Sequence, residues 1–246
     1  MKPCLVIPFY DHGSSIARVL DELEPLGLPC IIVDDGSSAS ERALLDAAVG
    51  GRDRVQVETH DRNRGKGAAL RTGFRRAVRD GHTHALQIDA DGQHDARDLP
   101  RFLETSKRFP EALVLARPIL ENSPASRRYG RQISRFWAWV ETLSLGIGDP
   151  LCGLRCMPLE TTCRVLDASP CGDRMDFDPE IAVRLVWAGA PVVNIESRVR
   201  YGADDVSHFR MGADNLLITW MNTRLVATML LRLLTFARVR PRSLPG

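Results

Sequence analysis

The chain has 246 residues, 44% hydrophobic and 26% charged, ordinary values that allow one large α/β domain or two small ones with a full-sized core. A net charge of +2 gives no reason to expect a nucleic-acid partner, although the segment 206–246 is locally basic, with Arg210, Arg224, Arg232, Arg238, Arg240 and Arg242 against Asp214. No secretory signal precedes the first strand-like segment, and the charge-free runs 215–223 and 225–231 fall short of the ~20 residues of a membrane span. A cytoplasmic protein without a transmembrane helix is therefore expected. Its six cysteines are expected as free thiols, since no common zinc spacing links them.

Taken in order, Leu5-Val6-Ile7-Pro8 reads as a buried strand closed by the turn-prone Asp11-His12-Gly13-Ser14. Ser14 or Ser15 is placed to cap a helix with Ile16, Val19, Leu20 and Leu23 at helical spacing, which Gly27 and Pro29 stop. Cys30-Ile31-Ile32-Val33 is a second strand, running into Asp34-Asp35-Gly36-Ser37-Ser38. A helix over 41–49 and a strand over 55–57 follow. The glycine-rich turn 63–67 then opens a helix to about Val78. Ala85-Leu86-Gln87-Ile88 is the next strand, followed by a helix at 98–109 and a strand at 112–116. This alternation predicts a doubly wound, mostly parallel sheet. The second half alternates less cleanly: a helix over 127–145, a loop over 146–155, a helix over 178–188 and a strand over 191–199. A helical, mostly apolar tail covers 211–236.

Chemistry is suggested where strands end. Asp89 and Asp91 follow the central strand with one residue between them, and in extended backbone i and i+2 share a side. Such a pair offers hard oxygen ligands for Mg²⁺ or Mn²⁺, with water and a diphosphate completing the shell, although Asp and Gly are also ordinary turn residues. Asp11 and the Asp34-Asp35 pair end two further strands, where a carboxylate can accept from a ribose hydroxyl or a base N–H. Gly65-Lys66-Gly67 is expected to present backbone N–H groups and one cation to an anion at a helix N-terminus. Gly-x-Gly-x-x-Gly after the first strand and the P-loop pattern are both absent. Together the features describe a nucleotide diphosphate bound with a divalent metal.

Four segments in this order, Pro8-Phe9-Tyr10-Asp11, Val33-Asp34-Asp35-Gly36-Ser37, Asn63-x-Gly65-Lys66-Gly67-Ala68-Ala69 and Asp89-Ala90-Asp91-Gly92-Gln93-His94, resemble the family-2 inverting glycosyltransferases of the GT-A fold. Within these the dolichyl- and polyprenyl-phosphate sugar synthase branch is most similar. The resemblance implies a GT-A doubly wound mixed sheet, mostly parallel, with a C-terminal apolar helix. It also implies a nucleotide-diphosphate sugar donor contacted by Pro8, Tyr10, Asp11, Asp35, Gly65, Lys66, Asp89 and Ala90. A metal would be held through Asp91, with Asp89 and Gln93 as helpers. Beyond Arg117, Asp149-x-x-Cys152-Gly153-Leu154-Arg155 is similar to the acceptor-side segment. Phe177-Asp178-Pro179-Glu180 is similar to the helix closing the donor site, and Val206-Ser207-His208 falls where the family often has Gly-x-Ser. Asp149 is then the candidate base and Glu180 the second, with Arg128 and Arg155 as phosphate ligands. Asp11-His12 and Ala116-Arg117-Pro118 depart from the family pattern and leave the donor preference open.

The implied division is a catalytic domain over 1–205, with a nucleotide-sugar half to 117 and an acceptor half from 118, and a tail over 206–246. The tail's apolar residues fit an amphipathic anchor on a membrane surface beside a lipid-linked or amphiphilic acceptor. They equally fit a helix that packs on the core or joins a homodimer. The alternatives are a polyprenyl-phosphate sugar synthase, a sugar-phosphate nucleotidyltransferase and a non-catalytic sugar-nucleotide binding protein.

Overall fold

The computed structural model describes residues 1–119, 125–169, 171–199 and 211–244; Val206, Ser207 and His208 lie outside them. Among the described residues one sheet holds β1 (Pro3–Phe9), β2 (Cys30–Asp34), β3 (Val55–Thr59), β4 (His84–Gln87), β5 (Leu113–Ile119), β6 (Arg155–Pro158) and β7 (Val192–Arg198). The strand order is β3-β2-β1-β4-β6-β5-β7. β1 to β4 pair in parallel, as do β5 and β7, and only β6 runs antiparallel to its neighbours β4 and β5. The mostly parallel mixed sheet is thus the expected one.

The helices are α1 (Gly13–Leu23), α2 (Ala39–Val49), α3 (Lys66–Arg79), α4 (Leu99–Arg108), α5 (Ala125–Thr142), α6 (Leu159–Ala168), α7 (Phe177–Trp187) and α8 (Met211–Leu234). Alternation along β1 assigns them to two faces. Leu5, Ile7 and Phe9 pack with Ile16 and Leu20 of α1, Leu45 of α2 and Phe102 of α4. Cys4 and Val6 pack with Leu70 and Phe74 of α3, Leu166 of α6, Ile181 and Leu185 of α7, and Leu225 of α8. Burial on both faces explains why the central strands read as continuous apolar runs.

Three expectations are corrected. Arg155 does not lie in a loop but begins β6, followed by α6, neither of which the sequence reading placed. The strand is four residues long and starts with a charge, so it offers no apolar run to recognise. The first helix starts at Gly13 behind His12, with no side-chain cap. Ser15 Oγ donates instead to the carbonyls of His12 (3.0 Å) and Ala90 (2.6 Å), which ties α1 to the turn after β4. The tail, judged too interrupted to span a membrane, forms one continuous helix whose residues Asp214–Leu234 are long and apolar enough to cross one by length and composition.

In this fold α8 is docked along one side. Met221, Leu225 and Met229 enter the core, and Arg224 meets Glu180 of α7 at 2.7 Å. Its other side is bare: Leu216 is 73% and Trp220 66% exposed. Tyr129, Ile133 and Phe136 are exposed on α5, against which α8 packs. All six cysteines are free thiols, and five of them are buried.

Glu141, buried in α5, has no partner for Oε1 among the described residues. Burial, with Glu180 nearby, pushes its carboxyl up to about 8 from 4.5. Between these values the folded chain holds a proton that the unfolded chain releases, so the group's contribution to stability falls as pH rises through that window. Glu141→Gln, which stays neutral, is predicted to raise the Tm by about 4 °C or more at pH 8.5 and by less than about 1 °C at pH 5. Scanning calorimetry at the two pH values checks this.

Candidate active site

Beyond β4 the ladder continues for one more residue, Ile88 N–H to the Val6 carbonyl, before the backbone turns. Gly92 takes a positive φ of 69°, and Gln93 N–H closes the turn on Asp91 Oδ1 at 3.0 Å. Asp91 therefore sits on a turn just past the carboxyl end of a central strand, the usual ligand edge of such sheets, with Asp89 between strand and turn. Burial, and next the neighbouring Asp89, raise the Asp91 carboxyl above its ordinary range. His94 is buried with no partner for Nδ1 among the described residues. Burial holds its imidazole below the usual range.

Asp89 differs from Asp91 in being compensated. Lys66 Nζ lies 2.6 Å from Asp89 Oδ1 and 2.8 Å from Asp178 Oδ2. Burial works against the ammonium, but Asp178 and Asp89 outweigh it and hold its pKa above the usual lysine range. Asp178 also accepts from Gln87 Nε2 at 3.0 Å and faces Arg155 at 3.5 Å. Against the burial penalty, Arg155 and Lys66 pull its carboxyl below the ordinary range. On its far side Asp89 packs against Gly153, where even a methyl group would overlap the carboxylate.

The glycine-rich turn differs from expectation. Its N–H groups are engaged within the chain: Gly65 N–H donates to Asp35 Oδ2 at 2.6 Å, and Gly67 and Ala68 N–H donate to the Asp173 carbonyl. Its cation points inward, to the acids. Asp35 lies beneath this turn. It accepts also from Arg64 N–H at 2.9 Å and pairs at 2.6 Å with His60, whose other nitrogen meets Thr72 at 2.9 Å. At the rim, Asp11 has a positive φ of 50° and accepts from Ser38 N–H at 3.0 Å. Tyr10 interacts with Asp11 and Asn63. Pro8 faces Val33 across the β1–β2 ladder.

Asp149, expected on the acceptor side, is buried. Its Oδ2 pairs with Arg131 at 2.6 Å, and its Oδ1 accepts from Leu151 N–H at 2.9 Å. Arg128, one turn earlier on α5, is exposed. Arg155, expected to fork onto a phosphate, is fully buried. Its guanidinium donates to the carbonyls of Pro150, Cys152 and Asp178, and it fastens the 149–155 segment to α7. Glu180 is likewise sealed, with Arg184 and Arg224 at 2.7 Å and Gly172 N–H at 3.0 Å. It joins α7 to α8 instead of facing the acid turn.

Reading by motif missed Lys66's partner Asp178, which stood as an unspecified position between Phe177 and Glu180. It also missed Arg131 and His60. Arg131 carried a signal, one helical turn from Arg128; His60 carried none.

Among the described residues no three His, Cys, Asp or Glu side chains form a closed metal cage. A divalent ion bound with a diphosphate needs none, because one or two carboxylates suffice when water and phosphate supply the other ligands. The partly uncompensated Asp91, with Asp89 and Gln93 beside it, fits such an ion.

Residues 4–164 match the profile described as Glycosyl transferase family 2. The chain belongs to this family. It is a glycosyltransferase, as are its named relatives. It is 34% identical over 215 residues to a dolichyl-phosphate beta-glucosyltransferase of Mus musculus, covering 78% of this chain and 65% of that one. It is 25% identical to the polyprenol monophosphomannose synthase of Mycolicibacterium smegmatis, covering 79% and 76%. The mannosyltransferase PcManGT from Pyrobaculum calidifontis, in complex with GDP-Man and Mn²⁺, superimposes with a TM-score of 0.60 at 14% identity, covering 95% of this chain and 74% of that one. At that identity the likeness speaks for the GT-A fold alone.

The family's glycine-rich turn thus rests here on Asp35. Asp35→Asn keeps the shape but sets an amide where two N–H groups need an acceptor. It is predicted to cost roughly 1–3 kcal/mol of stability, measured by urea denaturation. An unchanged midpoint would contradict this role.

Proposed function

We propose that the chain is a metal-dependent, inverting glycosyltransferase that moves a sugar from a nucleotide diphosphate to a phosphate-bearing lipid at a membrane surface. The observation that carries the reading is the acid turn after β4, where Asp89 is ion-paired with Lys66 while Asp91 faces no ion-pair partner among the described residues. Mg²⁺ or Mn²⁺, held by Asp91 with Asp89 and Gln93, would supply positive charge to the departing diphosphate. Tyr10 and Asp11 at the rim, with Pro8 and the backbone of Ala90, are assigned to the donor. Asp35 and Gly65 act by holding the loop beside it.

In the transfer an acceptor oxygen attacks the anomeric carbon from the side opposite the diphosphate. The carbon–oxygen bond to the diphosphate breaks, and the nucleotide leaves with the electron pair. An ionised phosphate acceptor has no proton to lose and needs no general base. That suits Asp149, whose two oxygens are engaged by Arg131 and Leu151 N–H. Arg128, exposed on the same helix, is assigned to the acceptor phosphate. A hydroxyl acceptor is the second reading, with Asp149 as base once Arg131 has moved aside. Relatives named for dolichyl and polyprenol phosphates favour the first. A nucleotidyltransferase would want a basic loop after β1, where this chain has Phe9-Tyr10-Asp11-His12-Gly13.

The bare side of α8, with Leu216, Trp220, Leu230 and Leu234 exposed, supports a peripheral position on the inner face of the cytoplasmic membrane. Arg238 and Arg240, exposed beyond its end, would meet anionic headgroups. The same face would serve a homodimer.

Two outcomes are expected. In a thermal-shift panel of nucleotide diphosphates, at least one should raise the Tm only with Mn²⁺, by RT ln(1 + [L]/Kd) in free energy, and Asp91→Ala should abolish the shift. No shift with any nucleotide would remove the donor site. In flotation with vesicles containing phosphatidylserine, the chain should rise with the lipid, and Leu216→Asp/Trp220→Asp should lose most of that binding. Equal flotation of the double variant would exclude α8 as the anchor.

A further inference from the structure

Around the acid turn, three carboxylates (Asp89, Asp91, Asp178) face two fixed cations, Lys66 and Arg155. One negative charge is left over. Lys66 Nζ forms an ion pair with Asp89 Oδ1 at 2.6 Å, and the Asp89 carboxylate fills the space a Cβ on Gly153 would take. The ammonium therefore sits where it competes for the oxygen that a second cation would use.

Resting on the transferase reading, we propose that Lys66 is a resident cation that keeps the empty site's affinity for divalent metal low, so that metal and nucleotide diphosphate bind as one unit. With Lys66 in place, one net negative charge faces an incoming dication, too little for tight binding without a further anion. The diphosphate brings that anion. The metal and the nucleotide then each raise the affinity for the other by the same factor, as linkage requires. Asp178 belongs to the device: by sharing the ammonium it weakens the hold of Lys66 on Asp89. Lys66 is on this account a positioning residue for Asp89.

The charges make predictions of opposite sign for two variants, which general damage to the site would not. Mn²⁺ binding to the full chain is measured by electron paramagnetic resonance of the free ion, alone and with saturating UDP or GDP. The wild type should bind Mn²⁺ weakly alone and more tightly with the nucleotide that binds. Lys66→Met should tighten binding of Mn²⁺ alone by about tenfold or more, as expected for removing a unit charge at this range, and reduce the gain on adding nucleotide. Asp178→Asn, which leaves Lys66 to Asp89, should weaken binding of Mn²⁺ alone. Lys66→Arg should behave as the wild type. If both Lys66→Met and Asp178→Asn weaken Mn²⁺ binding, or neither changes it, the proposal is overturned. If Lys66→Met does not fold, Lys66→Gln takes its place: tighter binding of Mn²⁺ alone supports the proposal, equal or weaker binding ends it. The Mn²⁺-only arms need no nucleotide, so a failure of the donor reading would show separately as no effect of UDP or GDP on the wild type.

Discussion

The chain of charges Arg155–Asp178–Lys66–Asp89, buried at Arg155 and Asp178 and partly exposed at Lys66 and Asp89, links the elements that build the site. Lys66 opens α3, Asp89 ends the central strand, Asp178 lies in the first turn of α7, and Arg155 begins β6. Removing such groups from water is costly, and the cost is offset only when each charge is paired and its remaining hydrogen-bonding atoms are used. The guanidinium of Arg155 meets that condition with three backbone carbonyls, so its charge also fastens the 149–155 segment. Loss of Lys66 or Arg155 would leave the buried Asp178 short of a cation, and four elements would lose a common anchor.

A second buried system keeps the acceptor side attached. Glu180 of α7 holds Arg184 on its own helix and Arg224 on α8, while Glu141 on α5 stays protonated beside it. The long apolar helix is thereby fixed to the catalytic core by one face. Its other face is exposed, as are Tyr129, Ile133 and Phe136 of α5, against which it packs.

The strands of the first half, the acid turn and the family were legible because apolar runs, punctuating glycines and carboxylates at strand ends are local patterns. Asp89 and Asp91 could be picked out from ten residues of sequence. What Lys66 does could not, since its partners are 23 and 112 positions away in the chain, and a Gly-Lys-Gly turn looks the same whether its cation faces a ligand or a buried acid. Arg155 and Glu180 were placed by motif on the ligand side, but the fold buries both. Burial of a charge is decided by partners from other elements, and no local pattern records it. β6 escaped for a related reason: a four-residue strand headed by arginine has no apolar run, and its antiparallel place between β4 and β5 is a property of the sheet. In α8, Arg224 divides the apolar sequence into short runs, although the helix itself is unbroken.

The most direct test of the account is transfer itself. Purified protein is incubated with Mn²⁺, a short polyprenyl phosphate and radiolabelled UDP-glucose or GDP-mannose, and the anomeric configuration of any lipid product is read by NMR. The account predicts label in an acid-labile, phosphate-linked lipid, dependent on metal and with the anomeric configuration inverted relative to the donor. A product of retained configuration, or a wild-type protein that binds a nucleotide sugar with Mn²⁺ yet labels only a hydroxyl-bearing acceptor, would contradict it.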